Sequence, residues 1–231
     1  MKIKTLFQDF AAMIYPEYCI ACEQALTKGE AQLCTNCRYE LPTVDFHTRP
    51  DNELRRKFVT NIPLQHTLAY MRFTKTGKAQ QLLHALKYEG NQEIGRMLGR
   101  WYGGVLSEAH FAARFDYILS VPLHPSKLRK RGYNQSDTFA QGLSEALTIP
   151  WSGEAIRRTK ATDTQTRKNR TERWENVAEI FTVQDTEKVK DRRVLLVDDV
   201  VTTGATLESC LHTLYKAGTQ ELSVAVIAVA M

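Results

Sequence analysis

Long apolar runs are missing from this chain. The longest, Val224–Met231, falls far short of the roughly 18–20 residues that a membrane-spanning helix requires, so no such span is expected. Internal repeats and low-complexity tracts are absent as well, which excludes solenoids and disordered linkers as the main architecture. An uninterrupted apolar leader is lacking too, because Gln8 and Asp9 break the first stretch. Leu6, Phe10, Met13 and Ile14 fall instead at helical spacing, and Met1–Pro16 reads as an amphipathic docking helix. Histidine is scarce, and neither His84 nor His124 has the spacing of a metal-ligand set.

What remains is an ordinary globular composition of 231 residues, 43% hydrophobic and 25% charged. That length suits one large domain, or a domain of about 150–200 residues with a small appendage. Apolar strand runs at Asp116–Val121, Arg193–Val197 and Leu222–Val229 alternate with helical patterns at Ser136–Leu147 and Ala205–Ala217. Upstream, Thr67–Phe73 reads as a strand, and Ala79–Tyr88 and Ile94–Leu106 as helices. Such alternation predicts an α/β fold with a parallel sheet covered by helices on both faces. Residues 1–42 are expected to form an N-terminal helix and a cysteine module, 43–66 a polar linker, and 67–231 the α/β domain.

Cysteine is sparse but clustered. Four of the five are Cys19, Cys22, Cys34 and Cys37, two paired CxxC units separated by eleven residues. Two tight turns of this kind direct four thiolates to one centre, the shell of a structural, zinc-ribbon-like Zn²⁺ site. An iron–sulfur cluster and redox disulfides are the alternatives. The pattern points to a reducing, cytoplasmic setting. Cys210 reads as a small buried residue of a helix.

Charge is uneven. Between Arg157 and Arg173 seven basic residues meet two acids, a net +5, equal to that of the whole chain. Lys127, Arg129, Lys130 and Arg131 add four more, so the remainder is net acidic. A polyanionic partner such as phosphate, pyrophosphate or nucleic acid fits this concentration, and a solvated basic face is the plainer reading.

The densest signal is the run Val194–Leu207. A buried strand delivers Asp198 and Asp199, and a loop of Thr202, Thr203, Gly204, Ala205 and Thr206 then opens a helix. In open α/β sheets ligands sit outside the carboxyl ends of the strands. Backbone N–H groups and threonine hydroxyls there can cradle a phosphate, while the carboxylates bind vicinal hydroxyls and help place Mg²⁺.

This stretch resembles the phosphoribosyl-pyrophosphate (PRPP) signature of type I phosphoribosyltransferases. The purine-salvage branch has Asp where Thr202 stands, so hypoxanthine or guanine salvage is disfavoured. Other segments narrow the likeness to the ComF family (ComFC or GntX type), related to amidophosphoribosyltransferases. They are the four cysteines, Leu86–Gly90, Val121–Pro125, Arg129–Gln135, and the segment containing Arg158, Thr159, Gln165, Arg170, Asn176 and Phe181. Lys168 and Asp163 depart from the usual apolar residue and proline, which touches local loop shape only.

The resemblance implies that Asp198 and Asp199 hold the ribose hydroxyls and that Thr202–Thr206 wrap the 5′-phosphate. Pro122, Leu123, Arg129, Arg131 and Gln135 would meet the pyrophosphate. Arg158, Thr159, Gln165, Arg170 and Asn176 would belong to a basic lid. Asp198, Asp199, Arg131 and Lys87 are the catalytic candidates. Lys87 and Tyr88 either line an acceptor pocket or are an ordinary surface lysine and a packed tyrosine. Trp174 either packs the lid or stacks a base. The expected ligands are structural Zn²⁺ and Mg²⁺ with PRPP. The family's association with natural competence implies single-stranded DNA and DNA-uptake proteins as partners. Catalysis of pentosyl transfer, PRPP-responsive DNA binding and sensing of the precursor all remain open, with the acceptor unspecified.

Overall fold

A computed structural model describes residues 16–59, 61–159 and 180–230. The helix expected over Met1–Pro16, save Pro16 itself, lies outside the described residues, as do Gln165, Arg170, Trp174 and Asn176. A short helix α1 (Thr35–Tyr39) follows the first cysteines. Strand β1 (Leu64–Phe73) leads into helices α2 (Lys78–Tyr88) and α3 (Gln92–Glu108). Strand β2 (Tyr117–Ser120), helices α4 (Pro125–Arg131) and α5 (Gln135–Leu147) and strand β3 (Trp151–Ser152) come next. Strands β4 (Ile156–Arg158) and β5 (Phe181–Val183), β6 (Arg193–Val201), helix α6 (Ala205–Lys216) and β7 (Glu221–Ala230) complete the order. No described helix is long and apolar enough to cross a membrane.

Five strands form one parallel sheet in the order β1-β7-β6-β2-β3, with Ile118 opposite Leu195 and Leu195 opposite Ser223. Strand periodicity decides how its faces are filled. Leu195, Val197, Ala225 and Ile227 pack with α2, α3 and α5 on one face. Val194, Leu196, Val224 and Val226 pack with Leu207, Leu211 and Leu214 of α6 on the other. Both faces are therefore buried, as the near-continuous apolar runs of β6 and β7 require. Strands β4 and β5 form a separate antiparallel pair.

Two expectations need correcting. Strand β1 begins at Leu64 rather than Thr67. The polar stretch before it is no loose linker: Phe46 and Leu54 are buried in the α6-side core. Asn52 donates to the carbonyls of Arg49 (2.8 Å) and Thr67 (2.9 Å) and accepts from the Thr67 hydroxyl (3.1 Å), tying the stretch to β1. Two apolar anchors without periodicity, set among charged residues, leave no pattern that would have revealed this.

The orientation of α5 depends on glycine. Gly95, Gly99 and Gly103 recur every fourth residue on α3 and face Thr138, Gly142 and Ala146 of α5. A methyl group at Gly99 would lie 2.5 Å from the Phe139 carbonyl oxygen and 2.8 Å from the Gly142 Cα, so the helices touch backbone to backbone. Gly104, on the same helix, has no atom within 4 Å of such a methyl group. Gly99→Ala is therefore expected to destabilise the fold by about 2–3 kcal/mol through overpacking. Gly104→Ala should instead stabilise it by up to about 1 kcal/mol through helix propensity. Thermal or denaturant unfolding of the two variants checks the contrast.

Candidate functional site

At the carboxyl edge of the sheet, β6 emerges from the core and presents Asp198 and Asp199 to a cavity of about 210 Å³. The Asp198 carboxylate accepts from the Ser136 hydroxyl and from the Asp199 N–H, both at 2.8 Å. Asp199 accepts from the Val200 N–H at 2.5 Å and pairs with Lys87 Nζ at 2.8 Å. Burial, followed by the neighbouring Asp199 charge, pushes Asp198 up to about 7, while Ser136, the Asp199 N–H and Lys87 pull the other way. The two carboxylates thus differ in kind, one clamped by a cation and one held close to neutrality.

Beyond Asp198 lies a smaller cavity of about 50 Å³ formed by Thr202, Thr203, Gly204, Ala205 and Thr206. Gly204 has φ +86°, a conformation that L side chains rarely adopt, and it turns the chain directly into α6. Asp198, Val200 and Thr206 line both cavities, so the two spaces are adjacent. A concave loop at a helix N-terminus, with three hydroxyls, suits a phosphate group.

The larger cavity also has a cationic wall. Lys127 and Arg131 line it from α4, Arg158 from the end of β4, and Lys87 from the end of α2. Arg131 donates to the Gln135 side-chain oxygen at 2.6 Å, and its guanidinium lies 5.5 Å from the Tyr88 ring centroid. Pro122, Leu123 and Gln135 complete the same wall. Arg129 is exposed and does not line the cavity. Lys127 and Arg131 are four residues apart on α4 and share a helical face, which turns Arg129 away. Thr159 also lies off the cavity. Its N–H (2.8 Å) and hydroxyl (3.0 Å) both donate to the Ile180 carbonyl and join the two ends of the segment between them.

Asn134, an amide of the Arg129–Gln135 segment, lines the cavity, and so does Ser136, which was not singled out by sequence. Asn134 caps α5, donates to the Val121 carbonyl (3.0 Å) and reaches Asp137 (2.7 Å), which also receives the Ser120 hydroxyl at 2.5 Å. The only sequence signal of Ser136 was its place at a helix start two residues after an Asn, a pattern shared with ordinary caps.

The four N-terminal cysteines also converge. All are free, and their sulfur atoms lie within 4.8 Å of one another, with Cys22 and Cys34 at 3.7 Å. A tetrahedral ion with bonds of about 2.3 Å would place its sulfurs about 3.8 Å apart, so the four thiols have a spacing that could hold a metal. Backbone N–H groups of Cys34 and Cys37 point at the sulfurs of Cys19 (3.3 Å) and Cys34 (3.4 Å). Between the pairs, the Glu30 carboxylate accepts from the Thr27 and Thr35 N–H groups at 2.9 and 2.6 Å. Those bonds, the Thr27 contact first, hold it down to about 2 and pin the hairpin. Cys210 is buried and far from any such grouping, as its helical setting implied.

The raised Asp198 has a signed consequence for stability. Its folded value lies above the ordinary 3.8, so the folded state holds a proton that the unfolded state has lost. Stability contributed by this group is complete in acid and falls as pH rises toward about 7. Asp198→Asn removes that dependence while keeping an acceptor for Ser136. The variant is expected to unfold at the same temperature as the parent near pH 4. Above pH 7 it should be more stable by on the order of 2 kcal/mol, which paired melting curves across pH would measure.

The phosphoribosyl transferase domain family matches residues 133–230. The chain is 32% identical over 212 residues to the DNA utilization protein YhgH of Shigella flexneri, covering 89% of this chain and 87% of that protein. It is 29% identical over 216 residues to competence protein F of Haemophilus influenzae, covering 89% and 94%. Among solved structures, an allosteric regulatory enzyme of purine biosynthesis overlaps 58% of this chain and 26% of its own, at 21% identity and a TM-score of 0.42. On the strength of its full-length relatives, the chain belongs to the ComF/YhgH family of phosphoribosyltransferase-domain proteins.

Proposed function

We propose that the cleft binds PRPP with Mg²⁺ and supports displacement at the ribose C1′ with loss of pyrophosphate. One observation carries this reading. A phosphate-sized cradle, a pair of carboxylates and four cations line two cavities that share Asp198, Val200 and Thr206. That set of groups suits a 5′-phosphate, a ribose with vicinal hydroxyls, and a pyrophosphate. Asp198 and Asp199 accept from the hydroxyls, Thr202–Thr206 surround the 5′-phosphate, and Lys127, Arg131 and Arg158 neutralise the leaving group. Asp198 and Asp199 would help to place Mg²⁺, which would supply further charge neutralisation for the leaving group. Lys87 neutralises Asp199 before ligand arrives, and on binding it is placed to face the pyrophosphate. The catalytic roles of Lys87 and Arg131 are electrostatic, each lining the larger cavity as a cation.

A second reading is supported by the names of the relatives, a DNA utilization protein and a competence protein. On that reading the chain is a PRPP-responsive protein of single-stranded DNA handling, with the basic segment after Arg157 following the nucleic-acid backbone. The four-cysteine module is proposed to hold structural Zn²⁺. A closed thiolate shell leaves no position for substrate, so the ion supplies stability.

Pyrophosphate release from PRPP with Mg²⁺, assayed against nucleobases, small amines and single-stranded DNA, separates the readings. Acceptor-dependent release that is lost in Asp198→Asn/Asp199→Asn establishes a transferase. Saturable PRPP binding without release, together with salt-sensitive DNA binding, establishes the second reading. Retention of PRPP binding by the double variant would overturn the site assignment. For the cysteines, one zinc per chain is expected by metal analysis, and Cys37→Ser should lower both zinc content and melting temperature.

A further inference from the structure

Both arginines that line the larger cavity have aromatic partners. The Arg131 guanidinium carbon stands over the Tyr88 ring, 5.5 Å from its centroid, and that of Arg158 over the Phe181 ring at 5.4 Å. Several arginines elsewhere pair with carboxylates, as Arg49 does with Asp45, Arg56 with Asp51 and Arg193 with Asp116. The difference matters to an incoming anion. A carboxylate fixes an arginine but cancels its charge and occupies its N–H donors. An aromatic ring holds the cation through its π face, leaves the charge uncancelled and takes up no N–H group.

Phe181 is a buried core residue and the cross-strand partner of Arg158, so packing accounts for its ring. Tyr88 is different. It is 61% exposed and does not itself line the cavity, so neither the core nor the cavity wall accounts for an aromatic residue there. Its ring meets Arg131 and, one turn earlier on α2, the His84 ring at 5.0 Å between centroids. The turn that carries it is anchored, because the Leu86 carbonyl receives the Tyr133 hydroxyl. Arg131 is tied from α5 as well. The Gln135 side-chain oxygen accepts from it at 2.6 Å, while the Gln135 amide nitrogen donates to the Tyr133 carbonyl at 3.2 Å. An amide and a ring thus locate this guanidinium without neutralising it, in contrast to Lys87, which is paired with Asp199.

We propose that Tyr88 is a positioning residue of the cation wall: its ring seats Arg131 so that the guanidinium stays charged and open to a pyrophosphate group. This inference rests on the PRPP reading of the cleft and extends it to a residue outside the cavity. The last turn of α2 then serves the cleft twice, through Lys87 on Asp199 and through Tyr88 on Arg131.

The test is calorimetric binding of inorganic pyrophosphate and, separately, of ribose 5-phosphate to the full chain. Tyr88→Leu is expected to weaken pyrophosphate about threefold and to leave ribose 5-phosphate, the probe for the Thr202–Thr206 loop, unchanged. Tyr88→Phe keeps a ring and should bind pyrophosphate as the parent does. With Arg131→Gln already in place, Tyr88→Leu should cause no further loss. Parental pyrophosphate affinity in Tyr88→Leu overturns the role of Tyr88 and leaves the PRPP reading standing. A loss that persists in the Arg131→Gln background, or that Tyr88→Phe shares, shows that the ring does not act through Arg131 and overturns it too. An unmodified chain that binds neither ligand defeats the PRPP reading and this inference with it.

Discussion

A parallel sheet buried on both faces has nowhere to keep polar side chains except at its ends, and this constraint organises the molecule. Strand β6 is apolar from Val194 to Val197 because each of those residues meets a helical layer or the packed segment beneath α6. Asp198 and Asp199 come at the first positions where the layers part. Even there the space is tight enough to push Asp198 far above an ordinary carboxylate. Asp199 is relieved by a neighbouring ammonium group, Asp198 by a hydroxyl and an amide. Charge concentrated at such an edge is costly without a ligand, and a polyhydroxylated, polyanionic ligand with its own cation is the kind that relieves it.

Precision at this edge comes from elements whose chemistry is elsewhere. Ser136 reaches Asp198 because α5 starts where Asn134 is tied to the end of β2, through the Val121 carbonyl and the Asp137 carboxylate. The axis of α5 is in turn fixed by backbone contact with the glycine face of α3. A helix held through backbone atoms cannot slide by the fraction of an ångström that side-chain packing tolerates. Positional accuracy at the carboxylates is thus inherited from a row of glycines remote from the cleft.

The parts legible in the sequence were those with a period or a spacing. Strand β7 and helices α2, α3, α5 and α6 emerged near their observed bounds because burial on known faces imposes a pattern, whereas β6 runs past the expected Val197 to Val201 and so includes both carboxylates. The four cysteines and the Asp198–Thr206 loop emerged because their chemistry demands fixed intervals. Residues placed by tertiary contact alone did not. Phe46 and Leu54 anchor the stretch before β1 without any repeat, Ser136 looks like a helix-start serine, and Arg129 looks equivalent to Arg131 until α4 turns it outward. Composition marked two basic stretches, and among the described residues geometry brings Lys127, Arg131 and Arg158 from them to the cavity.

The cysteine module and the cleft meet through one helix. Helix α2 starts with Lys78, paired to Glu40 at the end of the module at 2.5 Å. Its last turn carries Lys87, paired to Asp199 at 2.8 Å. Between them Leu82, Leu83 and Leu86 lie in the same core as Cys19, Leu33, Cys37 and Leu41. The Leu86 carbonyl also receives the Tyr133 hydroxyl, from the turn that joins α4 to α5. The last turn of α2 is therefore braced from the module through its apolar face and from the cation wall through Tyr133. A module that lost its order would release the apolar face of α2, and with it the position of the lysine that balances Asp199. Cysteines that do not line the cleft can thus govern its electrostatics by fixing where a single ammonium group stands.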